Sequence, residues 1–382
     1  MDGRLNNRFL RAGLKTALAG LGIVLALVAA EYATRLLFPT WAPATADRLF
    51  WVYDAQLGWF HRPGTVGVFR HPDFAVKVAI NSQGLRDDEC PPAPAPGRRR
   101  LLVVGDSQAW GYGVEREERF SECIERRRPD CEVVNAAVSG FGTDQEYLYY
   151  RERGCRLRPE VVLLLMHEND FENNARDFEY WYAKPRFVLD GNVLRLTNVP
   201  VPRRTLRQRV GTFILGRTYL YATLYRAVSK RAPVSPPPAT PPAAAPAAPA
   251  TAVPDREAPH AAAESKGRRA IDDDGRLTAA ILHEFAESAR QHGARLVVVS
   301  APMNPARVGQ VRSALEPAGV PYLPLDDAFA HRREPVRFAH DKHWNARGHA
   351  VAATAIEAFL ERQGVFGPPP VKAPDAGSTP AR

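Results

Sequence analysis

The chain has 382 residues, 45% of them hydrophobic and 24% charged, which is enough for one sizeable α/β core and excludes a wholly unstructured or fibrous protein. Its formal net charge is +9, but Lys and Arg are scattered without an interleaved aromatic platform. The excess base therefore speaks for solvated surface, or for an anionic membrane or polymer, and against a nucleic-acid partner. The 34 prolines mark part of the chain as unable to build a core.

Thr16–Ala30 is uncharged, and Leu14, Tyr32 and Leu36–Phe38 extend its apolar character toward the ~20 residues that cross a bilayer. Arg4, Arg8, Arg11 and Lys15 precede it, so the positive-inside rule puts the N-terminus in the cytoplasm and the rest outside. Residues 1–38 are thus expected to be a basic tip and anchor in a bacterial inner membrane, with the remainder in the periplasm or outside the cell. A signal peptide cleaved after Val28-Ala29-Ala30 is the rival reading. The apolar pattern resuming at Tyr32 favours the anchor.

Residues 39–99 read as an extended, partly β lead-in, with alternation at Ala75–Ile80 and a turn at Asn81–Gly84. Five short apolar runs follow, at 101–105, 132–138, 160–166, 294–302 and 320–325. They suit strands buried on both faces. Helical patterns lie between and after them, at Phe120–Arg127, Thr143–Gly154, Leu277–His292, Arg307–Glu316 and Ala346–Gln363. This alternation predicts a three-layer α/β/α domain with a parallel sheet over 100–230 and 263–365. Asp190-Gly191 signals a hairpin. The Pro/Ala-rich insertion at 231–262 and the tail at 366–382 are expected to be disordered. Cys90, Cys123, Cys131 and Cys155 lack zinc spacing. They allow either one or two disulfides, Cys123–Cys131 being the favoured pair, or buried thiols.

Gly105-Asp106-Ser107 follows the first run, at the strand end where open α/β sheets place ligands and where helix N–H groups can meet an oxyanion. Alone, the triplet is equally an N-cap serine. Three further blocks accompany it: Asn135–Gly140 after the second run, Glu168-Asn169-Asp170 after the third, and Asp341–Asn345 before the last helix. All four fall at a strand's carboxyl end or in a late loop on that rim.

In these blocks the sequence resembles the SGNH hydrolase superfamily, the GDSL-like lipases and acylhydrolases, over roughly residues 100–182 and 275–362. The resemblance implies a flavodoxin-like fold and a serine esterase of membrane-anchored bacterial type. It makes Ser107 the nucleophile, His343 its base and Asp341 the orienting acid, with Ser107, Gly140 and Asn169 forming the oxyanion hole. Neither metal nor cofactor is implied. The LGW and INSQGLR segments also look like those of membrane-tethered members.

Two departures stand out. His167 occupies the place of the usual glycine in the third block, and Asp341 precedes His343 by two residues, not three. The expected substrate is an ester, in particular an O-acetylated cell-envelope carbohydrate. An O-acyltransferase with the same site and a catalytically silent envelope-assembly protein are the alternatives. His167 and Glu168 are expected to line the rim, His340, His349 and Trp344 to be packing or hydrogen-bonding partners around the last helix, and Asp106 to be a structural carboxylate or one that supports the site from behind.

Overall fold

The computed structural model describes residues 2–37, 50–71, 73–179, 182–191, 193–206, 218–221, 223–224, 259–330 and 332–366, with backbone alone at 2–12 and 259–272. The chain divides into two compact units, one of Met1–Asp47 with Thr205–Ala258 and one of Arg48–Arg204 with Pro259–Arg382. The expected insertion lies outside the described residues except for its last four positions, and the tail from 367 lies outside them entirely.

In the first unit, α1 (Asp2–Leu37) is one continuous helix. Its segment Gly13–Leu37 is 25 residues long, with mean hydropathy 2.0 and none of its most apolar window buried. At ~1.5 Å per residue that is about 37 Å, long and apolar enough to cross a bilayer core of ~30 Å. Its exposed side chains rule out a buried core helix. Glu31, the one acid in the segment, is neutralised by Arg35 at 2.9 Å and accepts the Tyr219 and Leu220 N–H groups.

The second unit opens with two antiparallel hairpins, β1 (Trp51–Asp54) with β2 (Gly58–His61), and β3 (Val66–His71) with β4 (Phe74–Ala79). Then follow β5 (Arg99–Gly105), the one-turn α2 (Ser107–Trp110), α3 (Phe120–Arg127), β6 (Cys131–Asn135) and α4 (Thr143–Glu152). Next come β7 (Val161–Met166), α5 (Asn169–Ala175), the two-residue pair β8 (Phe178–Glu179) and β9 (Tyr182–Ala183), and the hairpin β10 (Arg186–Asp190) with β11 (Val193–Thr197). The unit closes with α6 (Pro259–Gln291), β12 (Arg295–Ser300), α7 (Pro305–Leu315), β13 (Tyr322–Pro324), α8 (Asp326–Phe329) and α9 (Ala346–Arg362).

Five of these strands form one parallel sheet in the order β13-β12-β7-β5-β6. This is the doubly wound order that puts a switch point between the first strand and the third, here β5 and β7. Helix α3 packs on α9, while α4, α5 and α7 pack on α6, giving the helical layers. Every residue of β7 is buried, as a strand covered on both sides requires.

The apolar runs and helical patterns therefore appear where the sequence placed them, with two informative differences. Helix α6 begins at Pro259, 18 residues before the expected start at Leu277. Its leading part, rich in Ala and charged residues, is a good helix former with no apolar stripe for periodicity to detect. Strand β6 ends at Asn135 and not at Val138, because the Asn135 Oδ1 accepts the Ala137 N–H at 3.1 Å and turns the chain. All four cysteines are free thiols, so the favoured Cys123–Cys131 pairing is not made. Burial pushes the Cys90 and Cys131 thiols up to about 11 and about 12, which makes them unreactive.

Candidate functional site

Ser107 is the first residue of α2, directly beyond β5. The helix is capped by Asp106, whose Oδ1 accepts the Gln108 N–H at 2.9 Å, and not by Ser107. The serine hydroxyl is thereby left for another partner. It donates to His343 Nε2 at 2.7 Å. The His343 Nδ1–H in turn donates to Asp341 Oδ1, and that oxygen also accepts the His343 backbone N–H at 2.8 Å. The imidazole is therefore held in the Nδ1–H tautomer with its Nε2 lone pair on the serine.

Tyr112 stacks on the His343 ring, with centroids 4.1 Å apart and planes at 24°, which restricts rotation of the imidazole. Burial raises the Asp341 pKa, but the hydrogen bond and charge of His343 outweigh it and hold the carboxyl below its usual range. A spacing of two suffices because the loop is built to turn there. Phe338 N–H donates to the His343 carbonyl at 3.2 Å, Asn345 N–H to Val336 O at 3.1 Å, and Trp344 N–H to Gln108 Oε1 at 3.1 Å. At Gly348 a Cβ would lie 2.3 Å from the Val336 carbonyl, so only glycine lets α9 come this close to the loop.

Gly140 and Asn169 stand after β6 and β7, the strands flanking β5. Val138 N–H donates to Gly105 O at 3.0 Å and Phe141 N–H to Val138 O at 3.1 Å, which bends the Gly140 turn beside the end of β5 that precedes Ser107. Gly140 has φ +83°, a left-handed conformation that a side chain would strain. Asn169 opens α5, and its Oδ1 meets His167 Nδ1 while its Nδ2 has no partner among the described residues. Each residue expected at the site thus lies on the carboxyl rim of three adjacent strands or in the loop that reaches it.

Below the rim, Asp106, Asp144, Glu146 and Asp170 are all buried. Lys184 pairs with Asp144 and also donates to the Asn173 carbonyl at 2.9 Å. Burial first, then repulsion from neighbouring carboxylates, pushes Asp170 and Glu146 well above the usual range, toward the neutral acid. Asp106 is structural, as expected. His349 is buried beside Phe120 and accepts its N–H at 3.3 Å, and Trp344 is fully buried.

Of the two roles expected for it, His340 takes hydrogen bonding and not packing. Its ring is exposed, and Asp73 accepts both its backbone N–H, at 2.9 Å, and its Nδ1–H, at 2.6 Å. Asp73 is one of three lead-in residues that reach the site and that sequence reasoning passed over. Arg86 donates to the Gly111 and Val114 carbonyls at 2.7 Å, and Trp59 Nε1–H donates to Ser139 O at 3.2 Å. The only sequence signal for them was the LGW and INSQGLR segments, which carry Trp59 and Arg86.

No family model matches the chain, and no curated protein matches it. Solved structures do. TesA is 12% identical, covering 69% of this chain and 99% of that one at a TM-score of 0.37. A GDSL-like lipase from Bacteroides thetaiotaomicron is 10% identical, covering 71% and 91% at 0.35. A two-domain esterase active on acetylated mannans is 10% identical at 0.37, and the match covers 72% of this chain and 53% of that one.

Proposed function

We propose that the chain is a serine esterase of the SGNH type that deacylates its substrate through an acyl-serine intermediate. The observation that carries this reading is the continuous line from Ser107 Oγ to His343 Nε2 and from His343 Nδ1 to Asp341. Serine is a poor nucleophile until an imidazole takes its proton, and the imidazole serves only in the right tautomer.

In the proposed cycle His343 Nε2 accepts the Ser107 proton as Oγ attacks the ester carbonyl. The tetrahedral oxyanion is met by the Ser107 and Gly140 N–H groups and by Asn169 Nδ2, each donor worth ~10²–10³ in rate. Protonated His343 gives its proton to the leaving alkoxide, leaving Ser107 acylated. Water then attacks the acyl carbonyl as His343 takes its proton, and the imidazolium returns that proton to Ser107 Oγ as the C–Oγ bond breaks and the acid leaves. Asp341 stays ionised throughout and stabilises the imidazolium.

The proposed address is the outer face of a bacterial inner membrane, with α1 as a single-pass anchor. It rests on the length and apolarity of Gly13–Leu37 and on the basic residues ahead of it. An enzyme tethered there meets envelope polymers, so the proposed substrate is an O-acetylated carbohydrate of the cell envelope. A fluorophosphonate should label the wild type and not Ser107→Ala, and the wild type should release acetate from p-nitrophenyl acetate and from an acetylated oligosaccharide. Failure to label would sink the esterase reading. Acetyl appearing on an added sugar and not as acetate would make the enzyme a transferase.

A further inference from the structure

His167 stands where the resemblance leads one to expect glycine, and the mechanism above does not use it. Its backbone is pinned twice, since His167 N–H donates to Asp170 Oδ2 at 3.0 Å and Asp170 N–H donates to the His167 carbonyl at 3.1 Å. From this turn the imidazole returns over the first residue of α5, where its Nδ1 meets Asn169 Oδ1. An amide oxygen can only accept, so the proton lies on Nδ1. The other end of the amide, Nδ2, takes no partner among the described residues, and Asn169 is half-buried at the rim.

An untethered asparagine amide can present either its oxygen or its nitrogen, because the terminal torsion is broad and nearly two-fold. For an oxyanion the two faces have opposite signs: Nδ2–H stabilises the negative charge and Oδ1 repels it. A donor that ties Oδ1 removes the wrong face and fixes the right one.

We infer that His167 is a positioning residue, holding Asn169 with its Nδ2–H turned to the developing oxyanion. This rests on the reading of Ser107 as nucleophile and Asn169 as oxyanion donor. A glycine at this position would leave the amide free to turn. The histidine supplies preorganisation, which acts mainly in the transition state and should appear in kcat rather than in KM.

The test is a mutant cycle on p-nitrophenyl acetate with the full chain. His167→Phe keeps a bulky ring without the donor and should lower kcat about tenfold, leaving KM within about twofold. His167→Gln retains an N–H donor and should recover most of that loss. In an Asn169→Ala background His167→Phe should cost less than about twofold, because nothing remains to position.

Equal losses in the two backgrounds, or wild-type kcat in His167→Phe, would overturn the inference. A ¹⁵N spectrum of the imidazoles provides a reading without substrate. His167 should be the Nδ1–H tautomer in the wild type and lose that preference in Asn169→Ala, and an Nε2–H tautomer in the wild type refutes the contact itself. Ser107→Ala in the same series separates the two claims. If it remains active, the esterase reading fails, whereas if it is dead and the cycle shows no coupling, only the role of His167 fails.

Discussion

The parallel sheet and the lead-in hairpins contribute to the same site in different ways. The sheet sets the addresses: β5, β6 and β7 end side by side, so Ser107, Gly140 and Asn169 follow from where buried strands stop. Among the described residues the lead-in strands make no pairing with that sheet, yet the lead-in ties three of the four blocks. Arg86 holds the carbonyls beyond Ser107, Trp59 holds the turn before Gly140, and Asp73 holds the loop before Asp341. Groups are placed by hydrophobic burial and then kept in register by polar contacts from a distant stretch of chain. The two regions should therefore fail differently, with loss of chemistry from the first and loss of precision or of stability from the second.

The largest effects belong to the groups at the strand ends and their loop. Ser107→Ala and His343→Ala should each lower kcat by about 10⁴-fold or more with unchanged melting temperature, and the double variant should be scarcely worse, since the pair acts as a unit. Asp341→Asn should cost about 10³-fold, because an amide in place of the carboxylate no longer fixes the Nδ1–H tautomer or stabilises the imidazolium. Steady-state kinetics on p-nitrophenyl acetate decides. An Asp341→Asn enzyme within a few-fold of wild type would show that another acceptor orients His343.

Next in size is an effect on folding that originates in the lead-in. His61 in β2 is 1% exposed, its Nδ1–H donates to the Gly84 carbonyl at 2.8 Å, and its buried Nε2 has no hydrogen-bond partner among the described residues. Burial, aided by the charges of Arg86 and Arg119, depresses its pKa from 6.5 to about 4. Below pH 6.5 the unfolded chain takes up a proton there that the folded protein refuses until about pH 4, so stability falls as pH drops through that window. At pH 5 the difference is about 2 kcal/mol, or roughly 30-fold in the folding equilibrium. His61→Gln, which keeps a donor for Gly84, should reduce the loss of unfolding free energy between pH 7 and pH 5 by that amount in urea titrations. An identical loss in both proteins would mean that His61 is charged or accessible in the fold.

A smaller catalytic effect tests the lead-in as a clamp. Asp73→Ala removes both acceptors of His340 and should lower kcat about tenfold through the Asp341–His343 loop, with fluorophosphonate labelling slowed and not abolished. His340→Ala keeps the backbone N–H and should cost less than Asp73→Ala. If Asp73→Ala labels at the wild-type rate, the sheet and the loop's own hydrogen bonds suffice, and the contrast between the regions collapses.

How much of this was legible depended on the range of the interaction. The five sheet strands were readable because β-branched, doubly apolar runs such as Val161–Met166 have few alternatives, and α3 was expected over the residues it occupies. That Ser107 and His343 would come together was implied by the resemblance of their four blocks and not by position alone, since a Gly-Asp-Ser triplet after a strand reads equally as an N-cap. Strands β1 and β2 were missed because four residues such as Gly58–His61, all buried, carry no alternation. Asp73 was illegible for a deeper reason. Nothing local distinguishes it from the solvated charges around it, and its partner lies 267 residues away. Arg86 was marked only by the INSQGLR segment, which gives no hint of the carbonyl 25 residues on that it holds. His167 was visible as an oddity, but its contact with Asn169 needed the turn on which both residues sit.

The smallest expected effect on catalysis comes from α1. Among the described residues, every hydrogen bond made by Ser107, Asp341 and His343 has its partner within Arg48–Arg204 or Pro259–Arg382. Removal of Met1–Asp47 should therefore leave kcat and KM on a small soluble ester within about twofold of wild type, since no group that places or activates the serine is lost. What should change is partitioning. The full chain should sediment with membranes and resist extraction by salt and alkaline carbonate, because an apolar segment of this length is held by hydrophobic transfer and not by charge, while the shortened chain stays in the supernatant. If the protein expressed from the whole sequence is recovered soluble with an N-terminus near Glu31, the helix is a cleaved signal. If the shortened chain is soluble and folded but inactive on the small ester, residues 1–47 contribute to the site, and the sheet and lead-in together are not sufficient for it.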